Sequence, residues 1–200
     1  MKTIFIITFT ILIFCDDAIS QDYQETIHEF QNELNEEYRD PEESPLTKKD
    51  LKSFKGLDFY PIDEKYKVVA KFERAVNPIP FQMKTTTDRL PTYELYGIAT
   101  FNFEGNEYRL NVYQSHRLRE MEEYKDYLFL PFTDQTNALE TYGGGRFMDL
   151  KIPESDEIVI DFNKAYNPYC AYNHKYSCPI PPRENDLDFE VKAGVRYKQK

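Results

Sequence analysis

Two short stretches concentrate the residues that could do chemistry. The first is Asp161 to Asn185, DFNKAYNPYCAYNHKYSCPIPPREN. It is too rich in Pro, Asn and Tyr for a regular strand or helix, so it must be an ordered loop. Cys170, His174 and Cys178 follow a Cys-x3-His-x3-Cys spacing. Three such ligands could hold zinc, with water or a carboxylate as the fourth. In an oxidising compartment two cysteines suggest a disulfide instead, and closing this nine-residue loop would stabilise the fold by about 2.6 kcal/mol. The spacing does not match paired Cys-x2-Cys ligands, so a disulfide is favoured over free buried thiols, and both over metal. No cofactor is therefore expected.

The second stretch is Thr141-Tyr142-Gly143-Gly144-Gly145-Arg146. A glycine run lets backbone N–H groups approach an anion, and Arg146 could clamp a carboxylate or phosphate. The favoured alternative is a tight turn, with Arg146 paired to a carboxylate such as Asp134 or Asp149. A phosphate loop runs into a helix, whereas Phe147-Met148-Asp149 reads as strand. Asp134, Asp161 and Glu184 lie near these stretches and could do acid–base work. Among 35 acidic residues such proximity carries little weight. There is no Gly-x-Ser-x-Gly elbow, no His-Glu-x-x-His and no dinucleotide or Walker glycine pattern. His28 and His116 have no partner that the sequence identifies.

These stretches need a frame to hold them. Tyr23, Ile27, Phe30, Leu34 and Tyr38 recur at spacings of three and four, which predicts one face of a helix ending before Asp40-Pro41. Thr47 with Asp50 resembles a capping box opening a second, shorter helix. Strands are expected at 66–72, 92–103, 107–113, 127–132, 139–142, 146–150, 157–162 and 187–193. Glu104-Gly105-Asn106 marks the turn of a hairpin. The expected fold is α+β, mainly β: an N-terminal helix or two packed on an antiparallel sheet or partly closed barrel.

The chain of 200 residues has a formal net charge of -10, which argues against a nucleic-acid partner. Apolar residues at 40% and aromatics at 16% exclude a disordered chain. Lys2, the uncharged run from Ile4 to Phe14, and Ala18-Ile19-Ser20 read as a signal peptide over residues 1–20, leaving Gln21 first. The run is too short to span a bilayer, and no later segment is long enough. Cys15 follows the run as a lipidated cysteine would, but the preceding Phe14 is large, so a lipoprotein is not expected. The expectation is one exported domain over 21–200, periplasmic or extracellular, without a transmembrane span after processing.

Taken together, several segments resemble the bacterial Domain of Unknown Function 1684 family. They are Asp161-Phe162-Asn163, Ala165-Tyr166-Asn167-Pro168, Cys170-Ala171-Tyr172, Cys178-Pro179, Pro181-Pro182 and Asn185. Upstream stand Ser44-Pro45-Leu46, Phe54 with Gly56-Leu57, Phe132 with Asp134 and Thr136, and Thr141-Tyr142 with Gly145-Arg146, and Ala193-Gly194 closes the set. Two positions depart from the pattern: Ala138 stands where a Gly is usual, and Val195 where a Glu usually follows. The resemblance implies a single domain over about residues 25 to 197 and supplies no reaction.

The first functional expectation is a small-molecule-binding domain for an anionic or hydroxylated ligand, fixed by Arg146, Asp134, Asp161, Asn163, Asn167, Tyr172 and Asn185. The second is an envelope hydrolase using Asp134 or Asp161. In the third, the same residues knit a polar network and bind nothing.

Overall fold

The computed structural model describes residues 13 to 198, with side chains from 21 onward. The apolar stripe of the N-terminal segment forms helix α1 (Ile13–Arg39), and Tyr23, Ile27 and Tyr38 are buried along it. Phe30 and Leu34 share the stripe yet are only half-buried. Thr47 opens α2 (Lys48–Ser53) as the capping box predicts: its hydroxyl oxygen accepts the Asp50 amide at 3.2 Å and its O–H donates to the Asp50 carboxylate at 2.7 Å.

Seven strands follow: β1 (Lys67–Arg74), β2 (Phe81–Gln82), β3 (Thr92–Phe103), β4 (Asn106–Ser115), β5 (Tyr127–Phe132), β6 (Arg146–Lys151) and β7 (Glu157–Asp161). They form one antiparallel sheet in the order β6-β5-β4-β3-β1-β7, with short β2 beside β3. In the β3–β4 hairpin, Phe103 pairs with Asn106 across Glu104 and Gly105, whose φ values are 49° and 86°. Left-handed backbone at both turn residues matches the right-handed twist of the strands.

The sheet curls strongly into a half-barrel. Residues of both edge strands, Met148 of β6 with Ile158 and Ile160 of β7, join one interior core with Phe72, Phe101, Leu110, Leu130 and Phe132. Helix α1 lies over the gap between the two edges, since a hollow of about 410 Å3 is lined by α1, β6 and β7 together.

Two expected strands are corrected. Residues 139–142 fold back as a tight turn: the amides of Leu139, Glu140 and Thr141 all donate to the Thr136 carbonyl. Residues 187–193 bury Leu187, Val191 and Ala193, which explains their strand-like pattern. Their backbone groups, however, bond to loop residues, with the Leu187 amide donating to the Thr133 carbonyl and the Gln135 amide to the Phe189 carbonyl. Alternation here signals burial without a ladder. The expected signal peptide lies largely outside the described residues, and its cut after Ser20 falls within α1.

Candidate functional site

Side chains alternate across a strand, so β6 presents Arg146 and Met148 to the interior and Phe147 and Asp149 to the outer face. The expected site residues belong mostly to the interior or to buried seams. Arg146 is 0% exposed. Its Nη2 donates to Asp134 Oδ2 at 2.8 Å and to the Val191 carbonyl at 2.7 Å, while Nη1 donates to the Ala193 carbonyl. Asp134 Oδ1 accepts the Thr136 amide at 2.8 Å, the Thr136 hydroxyl at 2.6 Å and the Val191 amide at 3.2 Å. The partner of Arg146 is therefore Asp134; Asp149, three residues along the strand, faces the other way. The glycine run is a turn: Gly145 has φ +89°, and a Cβ there would stand 2.6 Å from the Phe132 carbonyl oxygen.

The other expected ligand residues are engaged in the same manner. Asp161 accepts the Tyr23 hydroxyl at 3.0 Å and the Asn163 amide at 3.1 Å. The Asn163 side chain ties the Asp63 backbone to this pair, accepting its N–H at 3.0 Å and donating to its carbonyl at 2.9 Å. Asn167 donates to the Tyr172 hydroxyl at 3.0 Å and to the Arg196 carbonyl at 3.2 Å. Asn185 fills a break in the sheet. Tyr113 pairs with Phe129, and two residues along, Asn111 meets Pro131, which has no N–H to give. The Asn185 side chain accepts from the Asn111 amide at 2.8 Å and donates to the Asn111 carbonyl at 2.8 Å and the Pro131 carbonyl at 2.7 Å. Arg146, Asp134, Asn163, Asn167 and Asn185 are buried and joined to backbone, so they do not form the shared ligand site expected of them.

Cys170 and Cys178 are both buried and lie side by side as unbonded thiols in this structure, the Cys170 amide donating to Cys178 Sγ at 3.1 Å. His174 is exposed, and among the described residues no group of three His, Cys, Asp or Glu is placed to hold a metal. The three residues of the Cys-His-Cys spacing are thus not gathered, because the loop turns His174 outward while both cysteines pack inward.

The open site lies on the outer face. The segment 166–179 packs over Phe129 and Phe147 and builds a second apolar cluster with Tyr93, Tyr113, Cys170 and Cys178. Between that segment, β6 and α1 is a cavity of about 380 Å3, lined by Phe30, Leu34, Phe147, Tyr166, Tyr169 and Tyr176, with Glu33, Glu37 and Asp149 as its acids. No Lys, Arg or His lines it among the described residues. This explains the half-burial of Phe30 and Leu34: they are walls of the cavity, not core. Asp149, an exposed residue of β6, lies on the lining of this cavity and of the hollow beside it. The hydroxyls of Tyr127 and Tyr166 both donate to Asp149 Oδ1 at 2.7 Å. Oδ2 receives no hydrogen bond from the protein among the described residues, and the residue is exposed. Burial by the surrounding protein raises the Asp149 carboxyl above its ordinary range, against the two tyrosine hydrogen bonds that lower it. Burial, then the Asp149 charge, pushes both tyrosine hydroxyls well up, so both stay protonated and able to donate to Asp149. At the rim the Tyr169 hydroxyl donates to Glu37.

Sequence reasoning did not single out Asp149, Tyr127, Tyr166, Glu37 or Tyr169 as a site. Two signals pointed to it: Glu37 falls beside the apolar stripe of α1, and Asp149 falls on the outward side of an otherwise apolar strand alternation. Both become a site only when the 166–179 segment is laid across them.

With this geometry in place, the chain belongs to the family described as Protein of unknown function (DUF1684), whose model matches residues 52–196. It is similar to the solution NMR structure of the uncharacterized protein from gene locus rrnAC0354 of Haloarcula marismortui, with 30% sequence identity and a TM-score of 0.69. That match covers 90% of this chain and 97% of the other. No curated protein matches the chain.

Proposed function

We propose that this chain is an exported small-molecule-binding protein whose ligand carries an ammonium or hydroxyl group and sits in the cavity between α1 and β6. The observation that carries the reading is an aromatic-walled cavity whose lining holds three acids and no cationic residue, with Asp149 exposed and its Oδ2 without a protein donor among the described residues. A cavity of about 380 Å3 lies in the size range of small-ligand sites. Tyrosine and phenylalanine faces attract cations, and the acids add to that attraction. An anion would meet three carboxylates and no cationic side chain there, so the anionic ligand gives way to a cationic or hydroxylated one.

Export draws its support from the apolar run of residues 4–14 and the small residues before Gln21. Tyr23, which holds Asp161, lies beyond the expected cut, so processing would keep the clamp between α1 and the body. A hydrolase on Asp134 or Asp161 has less support. Asp134 is saturated and enclosed, and Asp161 is held by Tyr23 and Asn163.

NMR titration of the chain from residue 21 with 2-phenylethylammonium, and in parallel with phenylacetate, tests the binding reading. The expected result is saturable shifts at residues 30–37, 147–149 and 166–179 with the amine alone. Equal binding of the carboxylate, or amine shifts scattered away from the cavity, overturns it.

A further inference from the structure

The cavity wall contains a feature that the binding reading does not use. Cys170 and Cys178 are both buried, and the Cys170 amide donates to Cys178 Sγ at 3.1 Å. The Tyr142 hydroxyl approaches the other sulfur, Cys170 Sγ, at 3.9 Å. Cys178 itself lines the cavity, as do its neighbours Tyr176, Ser177 and Pro179. The cavity therefore borders a residue that carries one sulfur of an adjacent, buried pair. The stretch between the two cysteines is held at its end by its surroundings: the Cys178 amide donates to Thr86 Oγ1 at 3.1 Å and the Thr86 amide to the Cys178 carbonyl at 2.9 Å.

We propose that Cys170 and Cys178 form a reversible dithiol–disulfide couple, oxidised through the cavity by a small disulfide, and that their oxidation state reshapes the cavity wall. In the first step one thiolate of the pair attacks a sulfur of the small disulfide RS–SR. The S–S bond breaks, RS⁻ leaves, and a mixed disulfide forms. In the second step the other protein thiol loses its proton and attacks the protein sulfur of that mixed disulfide. The Cys170–Cys178 bond forms and a second RS⁻ leaves. The two protons of the protein thiols end on the two departing thiolates, so two protein thiols are oxidised and one small disulfide is reduced to two thiols.

The local chemistry suits the first step. The Cys178 S–H hydrogen bond pulls Cys170 down to about 7, against burial, which raises it. A thiol that ionises near neutral pH combines thiolate fraction with nucleophilicity. Cys178, as the donor, is held protonated by the same bond. The cavity wall responds because Tyr169, beside Cys170, and Tyr176, beside Cys178, stack edge-on at 5.2 Å between centroids, and both line the cavity. Tyr169 borders and Tyr176 lies within the segment that a Cys170–Cys178 bond would close, so the bond is expected to shift their rings. This inference needs only the cavity and the thiols, and stands apart from the charge of the ligand.

The test uses the folded chain from residue 21, reduced and then titrated with oxidised and reduced glutathione, and read by intact mass and by amide hydrogen exchange. The expected mass is two hydrogens lighter after oxidation and returns with reduced glutathione. Exchange at residues 166–179 should change at least threefold between the two states, while the β3–β4 hairpin stays constant. Cys178→Ser should stop at a stable glutathione adduct on Cys170, and a variant that takes up no glutathione overturns Cys170 as the attacking thiol. Wild-type protein that remains a mixed disulfide, that cannot be reduced again while folded, or that oxidises without any change at 166–179 overturns the proposal. The phenylethylammonium titration can fail independently, because none of these readouts contains an amine.

Discussion

Strand β6 carries a cation and an anion three residues apart, and they meet opposite fates. Arg146 faces the barrel interior, where a carboxylate and two backbone carbonyls enclose it. Asp149 faces outward, where two tyrosines engage one oxygen and leave the other open. The interior charge has no room for a ligand: Arg146 is fully buried, its two terminal nitrogens are bonded, and the Nε left without a partner is enclosed with them. The outer charge is incomplete by one donor, and no cationic residue lines the cavity, although Lys164 and Lys175 stand over two of its rings, Phe30 at 5.8 Å and Tyr176 at 4.7 Å. A buried polar group that is fully bonded specifies a fold, whereas one left short of a partner in a cavity specifies a ligand.

This contrast can be broken at several points. Arg146→Ala would strand the Asp134 carboxylate without its counter-ion and should cost about 3 to 5 kcal/mol in urea unfolding. Arg146→Lys should recover little, because a compact ammonium lacks the planar fork whose two ends reach Asp134 and Val191 on one side and Ala193 on the other. A loss below about 1 kcal/mol would remove the interior half of the comparison. Asn185→Ala should cost about 2 to 3 kcal/mol by the same measurement, since it leaves buried backbone groups of Asn111 and Pro131 unpaired. Asp149→Asn should reduce phenylethylammonium affinity about tenfold, or about 1.4 kcal/mol, without lowering Tm. A large drop in Tm would make Asp149 as structural as Arg146.

pH sharpens the same point. Asp149 is raised in the folded state, so acidification protonates it there first. The folded state then gains relative to the unfolded one as pH falls through the raised value toward the ordinary carboxylate range. Amine affinity moves the other way, because the neutral acid no longer attracts the ammonium. Calorimetric titrations and melting curves at matched pH should therefore diverge below neutrality in wild type, and this site's share of the divergence should vanish in Asp149→Asn. The smallest effect is at Ala138, whose φ of 65° is left-handed. Ala138→Gly relieves that strain at some entropic cost and should raise stability by about 0.5 kcal/mol.

The Ala138 result shows what could be read early. A glycine was the usual residue there, and the backbone supplies the reason. The α1 stripe, the Thr47 cap, the hairpin and most strands were equally legible, because each rests on local spacing. The turn around Arg146, with Asp134 as one of two candidate partners, was legible as the favoured alternative. The site was not. Asn163, Asn167 and Asn185 stood out because the loop is built from them, and the same prominence made them look like ligand contacts. Asp149 stood out from nothing, since its meaning depends on Tyr127 across the β5–β6 register and on Tyr166 from the overlying segment. Nor could 187–193 be told from a strand, since burial alternates there without a ladder.

Asn185 also constrains the order in which the protein can be finished. Its side chain stands in for the N–H that Pro131 lacks, from 74 residues beyond Asn111. The β4–β5 seam therefore cannot be completed by neighbours in sequence. During synthesis it must wait until residue 185 has left the ribosome, long after β4 and β5 have emerged. Protection of the Asn111 amide is thus a late event, and pulse-labelled exchange during refolding would see it close after the β3–β4 hairpin. A loop residue in this position acts as a timing signal: the wall of the half-barrel is sealed only when nearly all of the chain is present.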